Sequence, residues 1–115
     1  MFIYICHYLT SSTITTLKNE QRKLGRAIRR HRERKNMLLR QLASQLDMDT
    51  AQLSKIENGQ RQFKREHIHI LALALDTDET ELQTLWLADQ VMDIVQDEPA
   101  ACTALKTVLK QIKNS

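Results

Sequence analysis

This chain is poor in the residues on which most catalytic and secreted domains depend. Its 115 residues include two glycines, one proline, two cysteines and only 4% aromatics. So few glycines cannot build a glycine-rich phosphate loop. Cys6 and Cys102 stand far apart with no CxxC spacing, so neither a zinc ligand set nor a disulfide framework is indicated. His67 and His69 are two positions apart. On a helix that offset points them roughly 200° apart, so they cannot share a metal. No Ser–His–acid arrangement emerges either. We therefore expect no enzyme, no cofactor, no metal site and no small-molecule substrate. The longest apolar opening, MFIYICHYL at residues 1–9, is far short of the ~20 residues that span a bilayer. It lacks a basic leader, and TSSTITTL follows it where a small-residue cleavage site would stand. Neither a membrane segment nor a secretory signal is expected.

What remains is rich in Leu, Ala, Gln, Lys and Glu, the composition of an all-α chain. The length suits one hydrophobic core. Net charge is a mild +3, but it is unevenly placed. From Lys18 to Arg40 there are ten Lys or Arg against two acids, Glu20 and Glu33, whereas from Asp76 to Glu98 there are eight acids and no Lys or Arg. One block can neutralise phosphates and the other would be repelled by them.

Apolar spacing predicts about five helices and a helical extension. The first runs from about Asn19, a candidate N-cap, to Arg34, with Leu24, Ile28 and Arg32 on one face. Asn36 is suited to the left-handed conformation that closes it. The next two span about Leu39 to Leu46 and Thr50 to Asn58, separated by Asp47-Met48-Asp49, with Asp49 or Thr50 as cap. Gly59 closes the third. A fourth, about Arg65 to Leu75, buries Ile68, Leu71, Ala72 and Leu75; a fifth, about Glu79 to Val95, follows the Asp76-Thr77-Asp78 cap; a sixth begins near Pro99 and ends near Lys113. We divide the chain into a flexible extension at 1–18, a DNA-binding domain at 19–78 and a helical extension at 79–115.

The segment from Leu38 to Arg61 has the form of a helix-turn-helix. Leu42, Ala43, Leu46, Leu53 and Ile56 supply its apolar contacts, and Ala43 is small enough to let the helices cross closely. With Leu53-Ser54-Lys55-Ile56-Glu57-Asn58-Gly59, the later Leu71-Ala72-Leu73-Ala74-Leu75 and the upstream Leu24-Gly25, Ile28 and Arg32, it resembles the Cro/C1-type (Xre) helix-turn-helix family of bacterial and phage regulators. The resemblance covers about Leu24 to Leu82. It implies a lambda-repressor-like fold, a cytoplasmic location with reduced thiols, and double-stranded DNA as partner. It also places Thr50, Ala51 and Lys55 at base-contacting positions and makes Arg32 and Glu57 a structural ion pair. Where the family carries a phosphate-clamping glutamine near the start of its second helix, this chain has Leu39, with Arg40 beside it.

The early side chains of a helix in the major groove lie nearest the base edges, which adds Gln52 and Ser54 to the base-contact set. Arg40, Gln41, Asn58, Arg61 and Lys64 flank that helix as candidate phosphate donors. In the fifth helix Trp86, Leu87, Val91, Ile94 and Val95 spread over a wider arc than one packing face requires, and we assign them to homodimerisation. The expected function is a dimeric, sequence-specific transcriptional regulator, a repressor or autoregulator, on a palindromic operator. Narrower readings are the controller of a restriction–modification cassette and the antitoxin of a toxin–antitoxin pair. A reading from another class is a helical protein-interaction module, for which the polar Thr50, Gln52 and Lys55 are unsuited.

Overall fold

The computed structural model describes residues 22–115, so the readings for 1–18 and for Asn19 lie outside the described residues. Six α-helices follow in order: α1 (Lys23–Arg34), α2 (Leu39–Gln45), α3 (Thr50–Glu57), α4 (Ile68–Leu75) entered through a 3-10 turn at Arg65–His67, α5 (Glu79–Val95) and α6 (Ala101–Lys113). Among the described residues there is no strand. The fold is all-α and lambda-repressor-like.

Four consecutive helices stop by the same device. Asn36, Asp47, Gly59 and Asp76 have φ of 56°, 53°, 78° and 52°. Each is followed by a backbone bond that reaches back five residues: Met37 to Arg32, Met48 to Ala43, Gln60 to Lys55 and Thr77 to Ala72. These left-handed closures satisfy carbonyls that the last turn leaves open. Asn, Asp and Gly are the residues that enter this conformation at least cost. Short helices joined by abrupt turns are the result, and they let α2 and α3 pack against each other while α3 also packs on α1.

The core is continuous across these elements. Leu24 and Ile28 of α1, Leu42 and Ala43 of α2, Leu53 and Ile56 of α3, and Ile68 and Leu71 of α4 are all buried. Leu82 of α5 is fully buried with them, so the core runs across the boundary expected between residues 78 and 79. Helix α5 packs along α1 and α4.

Several ends differ from the sequence expectation. Arg22 is extended, and α1 opens at Lys23. No local side chain caps it. Instead the carboxylate of Asp89, on α5, accepts from the Lys23 and Leu24 N–H groups at 2.8 and 3.0 Å. That is a cap donated from across the fold, and it places a buried anion at the positive end of the helix. Asp49 holds the cap position of α3, yet its side chain makes no cap bond, and neither does Thr50 cap this helix. Asp78 does cap α5, accepting from Thr80 N–H at 3.1 Å. Helix α6 begins at Ala101, because Pro99 and Ala100 form a turn closed by an Ala101-to-Glu98 bond.

Two positions carry testable cost. A methyl group added at Gly25 would run into the Ile56 carbonyl oxygen and stand 3.1 Å from that of Glu57. Backbone cannot yield as a side-chain tip can, so Gly25→Ala should destabilise by about 1–3 kcal/mol in denaturant melts. Asp89→Ala strips two N–H groups of their acceptor and should cost about 1–3 kcal/mol by the same measurement.

Candidate nucleic-acid interface

Helix α3 buries Leu53, Ile56 and Glu57 and turns its other residues outward. Thr50, Ala51 and Lys55 are exposed; Gln52 and Ser54 are half-buried. The candidate base-reading residues therefore share one accessible surface at the start of the helix. With no side-chain cap there, the N–H groups of that first turn remain available as donors beside them.

The flanking donors come from two neighbouring elements. Arg40 and Gln41 lie exposed on the first turn of α2. Gln41 is partly committed, since its Oε1 accepts from Leu38 N–H at 2.8 Å. That bond caps α2 and leaves the Gln41 amide NH2 as the outward donor. Asn58, Arg61 and Lys64 stand exposed in the turn and loop after α3.

That loop is braced from behind. Phe63 is buried in the core. Its carbonyl accepts from Trp86 Nε1–H at 2.7 Å. Gln62 Nε2 donates to Asp93 Oδ2 at 2.7 Å, and the Arg65 guanidinium lies 5.6 Å from the centre of the Trp86 ring, within cation–π range. Three contacts thus fix the backbone on which Arg61 and Lys64 are displayed. Trp86 belongs to this brace, and its half-buried ring faces the loop. The structure sets it apart from Leu87 and Ile94, which stand exposed on the outer side of α5, and from half-buried Val91 and Val95.

Arg32 and Glu57 meet at the far end of α3. Arg32 Nε and Nη2 donate to the two Glu57 carboxylate oxygens at 2.8 and 3.1 Å, and Nη1 donates to the Met37 carbonyl at 2.8 Å. The side chains are 13% and 5% exposed. The fork–fork geometry fixes both groups in one plane. Hydrogen bonding to Glu57 raises the Arg32 pKa above its ordinary value, against the opposing effect of burial. A raised base contributes stability that is complete below its unfolded pKa and lost only as pH rises through the folded one. Arg32 therefore stays charged throughout the pH range in which proteins fold.

Beside this pair, Arg26, Arg29, Arg30 and Arg34 line an open hollow of about 840 Å³ with Glu33, Glu57 and Asn58. Arg29 is paired with Glu33 at 2.8 Å. The cationic face of α1 is thereby continuous with the end of α3. Among the described residues, no group of three or more His, Cys, Asp or Glu is gathered as a metal site, and no helix is long and apolar enough to cross a membrane.

A family model for the helix-turn-helix domain matches residues 23–85, from the first residue of α1 into α5. The chain belongs to this helix-turn-helix, DNA-binding family. No curated protein and no solved structure matches it. Within the matched span α2 and α3 are the two helices on either side of the turn. The matched span stops short of Asp89 and Asp93, the two α5 carboxylates that hold α1 and the loop.

Removing one partner of the Arg32–Glu57 pair strands a charge where water barely reaches, at a cost of about 3–5 kcal/mol. Denaturant melts of Arg32→Ala, Glu57→Ala and the double variant should show a coupling energy well above the ~0–1 kcal/mol of an exposed pair. Strict additivity would contradict it.

Proposed function

We propose that this chain is a sequence-specific, dimeric transcriptional regulator, a repressor or autoregulator acting in the cytoplasm on a palindromic operator. The observation that carries the reading is the accessible, polar first half of α3, flanked on both sides by exposed donors. Thr50, Ala51, Gln52, Ser54 and Lys55 are the base-reading set. Gln52 suits adenine, which pairs with a two-pronged amide; Lys55 suits guanine; Ala51 and the Thr50 methyl suit thymine methyls. Arg40, the Gln41 amide, Asn58, Arg61 and Lys64 fix the register on the phosphates. Arg32 and Glu57 stand behind the helix and set its angle. The dimer is supported by the exposed apolar face of α5 at Leu87 and Ile94, joined at its edges by Val91 and Val95. Two copies would meet half-sites about one helical turn, ~34 Å, apart.

Selecting bound duplexes from a random pool tests the reading: a two-fold symmetric site should emerge, and enrichment of no sequence would refute it. On the selected site, Lys55→Ala should weaken binding by about 1–3 kcal/mol and relax preference at one base pair. Arg61→Ala should weaken selected and random DNA alike and make the salt dependence shallower by about one contact.

A further inference from the structure

Between α5 and α6 the surface opens into a hollow of about 620 Å³, walled by Leu87, Ala88, Val91, Met92 and Val95 of α5 and by Leu105 of α6. It meets the start of α1 at Lys23 and Asp89. The Asp89 carboxylate is already committed there to the Lys23 and Leu24 N–H groups. Leu105 opens an apolar stripe that continues through Val108, Leu109 and Ile112, one face of α6 at spacings of three and four. These four side chains are 40%, 49%, 52% and 65% exposed. The stripe carries the apolar wall outward from the hollow along α6.

The chain enters the described structure at the edge of this hollow. Arg22 is the first described residue, and Lys23 after it is part of the lining. Residues 1–21 are therefore joined to the hollow at its α1 end. Their composition suits it. Every Lys, Arg, Asp and Glu of the chain lies at Lys18 or later, so the first 17 residues carry none. The most apolar part is MFIYICHYL, residues 1–9. An uncharged segment of that kind has little to gain from water and is prone to self-association when left in it. Apolar walls left in water are unfavourable for the same reason.

Length and tethering agree with the composition. The twelve residues from Thr10 to Gln21 span up to ~40 Å when extended. The α5 wall from Leu87 to Val95 is only ~12 Å long. A segment tied to the edge of the hollow meets it at an effective concentration on the order of millimolar, which a separate chain does not share.

We propose that residues 1–9 are the occupant of this hollow: the chain's own N-terminal segment turns back at Lys23 and lays its apolar side chains between α5 and α6. The contact ties α6, of which only Ala101 and Cys102 are half-buried, to the rest of the molecule. Ile94, 76% exposed and outside the lining, stays open for the dimer contact proposed above. Neither the DNA-binding nor the dimeric reading is needed for it.

The full chain offers a direct test, because its two tyrosines, Tyr4 and Tyr8, both lie in this segment. Nuclear Overhauser contacts should join the tyrosine rings to methyl groups of Val91, Met92, Val95 and Leu105, and a mixture of isotope-labelled and unlabelled chains should show that they arise within one chain. Ile3→Asp with Ile5→Asp should abolish these contacts and speed chymotryptic cleavage after Tyr8 about tenfold or more. Leu105→Asp, at a surface position, should do the same from the other side. Melts followed by circular dichroism check that each variant folds. Absence of tyrosine-to-methyl contacts in the unaltered chain overturns the proposal. Contacts that appear only between differently labelled chains overturn it in favour of a second copy's segment. Cleavage unmoved by Leu105→Asp overturns the hollow as the seat. None of these outcomes bears on the selection of bound duplexes, which reads α3 alone.

Discussion

The last turn of α3 is gripped from α1 at two levels, and the orientation of the candidate base-reading side chains depends on that grip. At Gly25 the α1 backbone comes against the carbonyls of Ile56 and Glu57 with no room for a side chain. Seven residues on, two helical turns along the same face, Arg32 takes the Glu57 carboxylate in both prongs. A single contact would leave α3 free to pivot; two contacts about 10 Å apart along α1 hold it as a rod is held by two brackets. The third Arg32 bond, to the Met37 carbonyl, extends the grip to the connection that launches α2. Both helices of the motif are therefore referred to α1.

Helix α5 performs the complementary task from the other side. Asp89 secures the start of α1, and Asp93 with Trp86 secures the loop that follows α3. Asp93 also lies 3.5 Å from the Arg22 guanidinium, just ahead of α1. The acids of this region reach inward as well as outward. Two of them neutralise backbone and side-chain donors at the base of the cationic half, a use of charge that a simple division into DNA-facing and DNA-averted ends does not anticipate.

Helices, their order and the core were largely legible because hydrophobic spacing is a local signal. Leu42, Ala43, Leu53, Leu71 and Leu75 are buried where periodicity placed them. Tertiary capping was not legible in this way: nothing near Lys23 in sequence announces that its acceptor is Asp89, 66 residues away. Trp86 was open to a better reading. It stands four residues after the fully buried Leu82 and one before exposed Leu87, which places it on the inner face of α5, with Asp89 and Asp93 following at helical spacing. The width of the apolar arc on α5 concealed the fact that two faces, one inward and one outward, make it up. The candidate site was legible only in the exposure of its side chains, which follows from the burial of Leu53 and Ile56. Its bracing was not.

The placement of Trp86 has an optical consequence. It is the only tryptophan in the chain, and both tyrosines, Tyr4 and Tyr8, lie outside the described residues. Its indole N–H is bonded to the loop that displays Arg61 and Lys64, and a guanidinium sits over its ring. Intrinsic fluorescence excited at the indole band is therefore a report on that loop more than on the molecule at large. Any event that draws Arg65 away or shifts the Phe63 carbonyl alters the polarity and charge around the chromophore. The protein thus carries a built-in emission probe placed one layer behind its candidate phosphate contacts.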